Sequence, residues 1–550
     1  MSAGPKTIIS LASLSREELE KKVIELQSKL DAAEMMNNWY LEQYKAMLQK
    51  KYGQSSEAGY AGQLSFDDLN LINEAEAFVK QPDTEPDTEE LLKGEQAAIV
   101  YKKNKKRKQT ACLPVVTDTF ELTSQEQVCP KCGAALHKIK DEVRVEIEVI
   151  PAQTRVHKYV SAVYSCRNCS AEGKGIFVTA SGAPKALIRN SVASPSLVAD
   201  IITKKYVDAT PFYRQEKNCT NYSIPITRNN MCNWSMDVAE DYFTVLVNRM
   251  KKILYADGVI HCDETFTEVL HEKDRTASAK SYVWVTTSSK YRDDHPMAIY
   301  NYRPGRSQAD AREVLKGYKG YIMCDGYPAY DSIAQTGKHG EEAMEVVPVS
   351  CMVHIKRYFT EALKLLPTDK RKGTSAQTAV DMITKLFHID NQFDRLTVED
   401  RFQKRQECLK KPMDDFFAWV EKEYEQALPK SKYGQAIEYA RNQKQKALRV
   451  LEDGRLEMEN NMAERAVKPF VIGRKNWLFS DTPRGAEASC ILYSIVQTAL
   501  MNSLIPYEYL KYVMESMRDM GRYTDDAIDK LLPWSKELPD YVRKPAEQEL

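Results

Sequence analysis

The chain has 550 residues, enough for roughly three to four domains with cores of their own. Its 78 Lys and Arg balance 78 Asp and Glu, so a polyanionic partner would have to be met by local patches and not by overall charge. No apolar run approaches the roughly 20 residues that span a bilayer, and the start, MSAGPKTIISLASLSREEL, lacks the basic head and long apolar core of a secretory signal.

Ser15 to Glu18 is a capping box ahead of a long helix. Leu19, Val23, Leu26, Leu30, Ala33, Asn37, Tyr40, Tyr44 and Met47 follow steps of four and three, a heptad seam with one polar core position. This predicts a self-pairing coiled coil over about 15–50, within a segment 1–58; an amphipathic helix packed on its own chain is the plain alternative. Segment 59–120 holds a short helix at Ser65 to Lys80, the acidic stretch QPDTEPDTEE and a basic run of Lys102, Lys103, Lys105, Lys106, Arg107 and Lys108. Such a run is a solvated linker, an arm that contacts phosphates, or both.

Segment 121–180 carries Cys129 and Cys132, then Cys166 and Cys169, with 33 residues between the pairs. Each pair can place two thiolates on one tetrahedral ion, and four thiolates leave no open position for water, so one structural zinc is expected. The other eight of the twelve cysteines are scattered, as in a reducing compartment. Val143, Val145, Ile147 and Val149 alternate, and Val156, Lys158 and Val160 do so more loosely, which predicts a hairpin joining two knuckles in a zinc-ribbon-like β unit. His137 and His157 read as surface histidines.

Segment 181–252 is helical, with candidates at Pro195 to Tyr206, Pro211 to Asn218 and Thr227 to Lys252. The turn before the last could make a helix-turn-helix that presents Arg228, Asn229 and Asn230; a helical connector fits equally well.

From 253 to 364 the pattern changes. Tyr255 onward reads as a short strand running into Asp263. Ser281 to Ser288 and Met297 to Tyr302 are strands, Gln308 to Tyr318 a helix, Gly320 to Asp325 a strand and Glu345 to Val349 another. Three strands, a helix and a strand is the order of a ribonuclease-H-like core. Cys351 and His354 have metal-pair spacing without a second half; a packed cysteine and a satisfied histidine is the plain reading. Residues 365–452 are lysine-rich and helical, for example Leu396 to Lys410 and Asp414 to Gln426, an all-α insertion. Segment 453–503 resumes the core with Leu456 to Phe479. There Asn460, Glu464 and Lys468 share one helical face. Met462, Ala466 and Phe470 could pack inward, Pro469 should limit the helix, and Gly473 should mark a turn. Taken alone this is also what a solvated amphipathic helix looks like. Ala488 to Met501 should cover the core, and 504–550 is a helical C-terminal segment. The fold class is thus multidomain α+β.

Asp263, Asp325 and Glu464 can meet above such a sheet and hold two divalent cations, Mg2+ or Mn2+, about 4 Å apart. The motifs HCDET, MCDGYPAY, CMVHIKRYF and NNMAERAVKPFVIGRKNWLF resemble those of the DDE transposases of the insertion-sequence-66 family, from the N-terminal helix to the C-terminus. The resemblance implies that Asp263, Asp325 and Glu464 are the catalytic triad and that 121–180 binds zinc. It implies that His354, Lys356 and Arg357 position DNA or the active site, and that small accessory proteins assist. It departs from the family at Glu459, where aspartate is usual, and at Lys468, where arginine is common. Arg465, Lys468, Arg474 and Lys475 would hold the DNA backbone, and Trp477 could stack on a base. The expected partners are element ends and target DNA, in a homodimer or higher synaptic complex with no membrane, in the bacterial cytoplasm at the nucleoid. A metal-dependent nuclease without strand transfer, or a catalytically silent DNA-binding protein, are the alternatives.

Overall fold

The computed structural model describes residues 27, 154–165, 177–276, 279–292, 294–335 and 342–545. The expected coiled coil (save Gln27), the helix at 65–80, both charged runs with Lys102 to Lys108, and Cys129, Cys132, Cys166 and Cys169 lie outside the described residues.

The chain divides into two units, one holding residues 62–184 and the other 185–543. In the first, β1 (Val163–Ser165) pairs antiparallel with β2 (Phe177–Thr179). The strand expected at Val156 to Val160 is not there. Those residues are exposed, Val156 at 96%, and alternation forms a strand only where one face has something to bury against.

The second unit opens with helices. In α1 (Pro195–Tyr206), Pro195 stands at the first position and Ser194 caps the N-terminus. Next come α2 (Phe212–Asn221) and α3 (Arg228–Val238), where Thr227 and Asn230 form a reciprocal cap. One π turn (Ala239–Phe243) joins α3 to α4 (Thr244–Ala256). The helix expected over Thr227 to Lys252 is therefore one rod with a π bulge.

The sheet follows: β3 (Val259–Val269), β4 (Lys280–Ser288), β5 (Ala298–Arg303), α5 (Gln308–Val314), β6 (Gly320–Cys324), α6 (Pro328–Ile333) and β7 (Val346–Ser350). Its order is β5-β4-β3-β6-β7. The β3, β4 and β5 pairings are antiparallel, and β3-β6 and β6-β7 are parallel. Gly320 has φ +131°, and the carbonyl of Gly258 lies where its Cβ would be. Only glycine lets the chain come in that close, and Tyr321 then donates to the same carbonyl to open the parallel ladder.

After β7 the chain is helical: α7 (Met352–Lys364), α8 (Ser375–Asn391), α9 (Val398–Lys404), a π turn (Arg405–Leu409), α10 (Lys410–Tyr424) and α11 (Lys432–Leu448). The expected break between Lys410 and Asp414 is absent. The π turn sits just ahead of Pro412 and carries the rod past a residue with no N–H to donate. The chain returns with α12 (Asn461–Trp477) and β8 (Phe479–Ser480), which pairs with the far end of β3. It ends with α13 (Pro483–Met501), α14 (Pro506–Asp519) and α15 (Asp525–Asp529).

Alternating strand residues feed two cores. Ile260, Cys262, Ile322 and Cys324 pack with α1, α3, α4, α13 and α14. Val259, Met323 and Val349 pack with Ile355, Phe359, Ile383, Phe416 and Ile437 of the inserted helices. The outer edge of β5 is closed by α13: Ser494 Oγ accepts from Tyr300 N at 2.9 Å and Thr498 Oγ1 from Ala298 N at 3.1 Å, which removes an edge that could template aggregation.

Candidate active site

Asp263 was expected at a strand end, but β3 runs on six residues beyond it. Asp263 lies where β3 loses its neighbour: the β3-β6 ladder stops at His261 opposite Met323. Two residues further on each strand are Asp263 and Asp325, so the same register sets the two acids side by side. Asp325 is held just past β6 by the N–H of Tyr327, 3.0 Å from its Oδ1. Asp263 Oδ1 accepts from the N–H of Glu264 at 2.8 Å.

Glu464 arrives on the first turn of α12. That helix runs through both Pro469 and Gly473, contrary to expectation. Tyrosine hydroxyls from outside the helix bind its carbonyls around the proline, Tyr300 at Ala466 and Tyr493 at Pro469. Gly473 is a packing residue, since a Cβ there would run into Trp477 and Tyr493. The buried face is Ala463, Val467, Phe470 and Val471, with Met462 and Ala466 only half-buried.

Asp263 feels the other two carboxylates. Burial pushes Asp263 well above the usual carboxylate range, and the charges of Glu264, Asp325 and Glu464 push it further. No group of three His, Cys, Asp or Glu side chains among the described residues is gathered tightly enough to hold an ion as it stands. The donor set nonetheless suits a hard divalent cation: three carboxylates, one raised by burial and further by its neighbours' repulsion, which a cation would relieve.

On α7, His354 Nε2 and Arg357 Nη2 each stand 3.8 Å from Glu464 oxygens. Burial, aided by Arg357, lowers His354 to about 4, so it meets Glu464 as a neutral ring at pH 7. Lys356 sits about 200° round the helix from His354 and is not among the groups on Glu464. Cys351 is fully buried; its Sγ accepts from Asn460 N at 3.3 Å, and burial pushes its thiol up to about 12. It is a packed cysteine.

The cations of α12 divide. Arg465 and Lys475 are exposed and Lys468 is half-buried. Arg474 is folded onto β3, bonded to the Phe266 carbonyl and stacked over its ring. The ring of Trp477 is engaged by Tyr206, edge-on at 6.4 Å, and by Lys205 Nζ at 5.1 Å. Arg228 opens α3 as expected, exposed and 3.9 Å from Glu216.

Several residues at the site were not foreseen. His261, fully buried, touches Asn460 Oδ1 at 3.0 Å and Glu457 Oε1 at 2.9 Å. Asn460 Nδ2 donates to the Cys262 carbonyl at 2.8 Å, and Glu457 also accepts from Ser289 Oγ and Lys290 N. Burial would raise Glu457, but His261 and Lys290 together hold it below its ordinary value. The network pins the start of α12 to β3, which fixes where Glu464 points. Arg306, from the loop after β5, lies between Glu264 and Asp325. From the insertion, Tyr439 and Gln443 close over Gly326, and Tyr439 stacks on Tyr358 at 4.2 Å. Pairs such as His261 and Glu457 are too far apart in the chain for any local pattern to show them; the basic Gly305-Arg306 turn ahead of α5 was the one visible hint.

No helix among the described residues is long and apolar enough to cross a membrane. Comparison with known proteins gives a coherent result. Residues 190–488 match the Transposase IS66 family, 126–170 the zinc-finger binding domain of transposase IS66, and 494–534 the IS66 C-terminal element. The zinc-finger match spans all four paired cysteines. Among relatives in Sinorhizobium fredii (strain NBRC 101917 / NGR234), uncharacterized protein y4jD is 25% identical over 414 residues, 75% of this chain and 78% of the relative. Uncharacterized protein y4hP is 26% identical over 418 residues, 74% and 73%. No solved structure matches. With more than half its length matched, and the flanking elements matched on either side, the chain belongs to the IS66 family of transposases.

Proposed function

We propose that the protein cuts DNA at the ends of an insertion sequence and joins those ends to target DNA. The observation that carries this is the facing of three carboxylates, Asp263 from β3, Asp325 from the end of β6 and Glu464 from α12. The strand order supports a ribonuclease-H-like core interrupted by an all-α insertion. Asp263, Asp325 and Glu464 are the residues that would hold two Mg2+ or Mn2+ ions. Such ions, when bound, supply the Lewis acidity that activates a water or a DNA 3′-hydroxyl and steadies the leaving oxygen.

The chain's own part is to orient and to bind. Asn460, His261 and Glu457 hold Glu464 over the sheet. Arg357 and neutral His354 flank its carboxylate, each 3.8 Å away, and of the two only the arginine draws on its charge. Arg465, Lys468 and Lys475 offer the DNA backbone cations along one helix, where salt would weaken the grip. No covalent protein–DNA intermediate is needed. Recognition of the ends falls to the N-terminal part: one zinc held by Cys129, Cys132, Cys166 and Cys169, the basic arm Lys102 to Lys108, and α3 with Arg228 at its start. Pairing through 15–50 would let one complex hold two ends, with accessory proteins assisting.

The test is joining of a labelled element end to plasmid DNA in Mg2+, with Asp263→Ala as control. Joined product from the native chain and none from the variant supports the reading. Cutting without joining makes the protein a nuclease. Binding without chemistry, in Mg2+ or Mn2+ and with accessory proteins present, makes it a DNA-binding protein that keeps only the fold.

A further inference from the structure

Glu264 has no part in the chemistry above, yet it is 7% exposed. Successive strand residues face opposite sides, so Glu264 points away from Asp263, toward α6. Tyr330 Oη donates to its Oε2 at 2.7 Å, and Arg306 Nε donates to its Oε1 at 2.5 Å, with Nη2 on the same oxygen. A buried carboxylate persists where its charge is paired and its oxygens are bonded. Here that pairing also fixes the position of an arginine.

Arg306 is held from three sides. Glu264 takes one edge of the guanidinium. Tyr327 lies 3.7 Å beneath its plane, and the hydroxyl of the same tyrosine bonds the Arg306 carbonyl. Tyr327 is the residue whose N–H holds Asp325, so the arginine and the acid share one support. Arg306 Nη2 stands 4.0 Å from Asp325 Oδ2, and 35% of the side chain remains exposed. A guanidinium has five N–H donors. Two groups face Glu264; among the described residues none accepts from Nη1.

We propose that Arg306 is a phosphate clamp of the active site: pinned by Glu264 and Tyr327, it presents its Nη1 edge to a non-bridging oxygen of the DNA phosphate seated beside Asp325. This rests on the reading of the site as a DNA-joining centre. Arginine suits the role because its planar fork matches phosphate and keeps its charge at any working pH. Pinning removes the entropy that a free side chain would lose on binding. A guanidinium beside a carboxylate cluster also offsets the repulsion an incoming phosphate would meet there.

The experiment is a methylphosphonate scan, in which each phosphate flanking the cut is neutralised in turn and joining is followed in Mg2+. With native protein, one phosphate within a nucleotide or two of the cut should matter most. Arg306→Ala should slow joining of natural DNA about 100-fold, the size expected for one lost transition-state donor. It should lose nothing more when that same phosphate is neutralised. Arg306→Lys, which keeps a charge against Glu264 and so preserves folding, should show the same positional signature with a smaller loss, since it lacks the fork. End binding in Ca2+ should weaken for both, but by less than joining slows. If the losses from substitution and neutralisation multiply at every position, Arg306 is only Glu264's structural partner and the clamp is wrong. A native chain that joins no DNA overturns the functional reading, and the clamp with it.

Discussion

Two acids at the same end of the sheet have opposite fates. Glu457 is buried against β3, and Asp263 stands half-buried within it. Glu457 meets His261, Ser289 and the N–H of Lys290, and is held below its ordinary pKa. Asp263, two residues along the same strand from His261, is pushed well above its own, first by burial and then by the charges of Glu264, Asp325 and Glu464. Burial acts on both acids in the same direction; the charges around them decide which way each ends up. The compensated side is extended by Arg405, fully buried, which donates Nε and Nη2 to the two carboxylate oxygens of Asp390 and Nη1 to the Leu456 carbonyl at 2.8 Å. One side of the α12 start is thus built for rigidity, while on the other Asp263 itself meets carboxylates and the nearby guanidiniums of Arg306 and Arg357 stand at Asp325 and Glu464.

The contrast can be broken most severely on the compensated side. Arg405→Ala leaves Asp390 buried and unpaired, and should cost about 3–5 kcal/mol of stability, read from the urea midpoint. Adding Asp390→Leu to Arg405→Met should recover most of that loss; no recovery would show that the carbonyl bonds matter more than the pair. On the uncompensated side the sign should reverse. Asp263→Asn keeps the shape, removes a repelling charge, and should stabilise the chelator-treated protein by roughly 1–2 kcal/mol while abolishing joining. Destabilisation would mean that Asp263 is compensated after all.

The two sides should also titrate in opposite directions. Glu264 is raised from 4.5 to about 7, first by burial and then by Asp325. Its contribution to stability is therefore fully present below its unfolded pKa and is lost as pH rises through about 7. Glu457, lowered from 4.5, contributes stability above that value and loses it as pH falls. In chelator, melting followed from about pH 5 to pH 8 should show a loss that Glu264→Gln makes smaller by on the order of 1–3 kcal/mol. Equal slopes for native and variant would contradict the assignment. The smallest effect is expected at Arg465, exposed and part of neither cluster. Arg465→Gln should leave stability within about 0.5 kcal/mol, and make the salt dependence of end binding shallower by about one unit of slope.

Much of the sheet could be read from the chain because its strands alternate and its turns carry glycine: β4 to β7 fall within a residue or two of expectation. The length of β3 could not. Asp263 looks like an end because an acid follows an apolar run, but Thr265, Phe266 and Thr267 continue the pleat against β4. The course of α12 could not be read either, since Pro469 and Gly473 are ordinary stop signals and only the packing of Tyr300, Tyr493 and Trp477 carries the helix past them. Asp263, Asp325, Glu464, His354 and Arg357 stand in short recognisable motifs, which is why the sequence alone offers them as candidates. Arg306, Glu264 and the His261–Glu457 pair were not, because their meaning lies in partners brought together by the fold. Trp477 and Arg474 looked like DNA contacts from composition, and the structure shows both turned back on the protein.

The insertion between β7 and α12 has a consequence during synthesis. Asp325 and Glu464 are 139 residues apart, and at roughly 5–20 residues per second a ribosome needs about 7–28 s to cover that distance. Through that interval the nascent protein has two of its acids and no third. A copy of the gene interrupted anywhere in the insertion would encode a product with the N-terminal segments and no means of completing the triad. On the proposed function, placing the last acid behind helices that pack on the sheet would make cutting competence one of the last properties the growing polypeptide acquires.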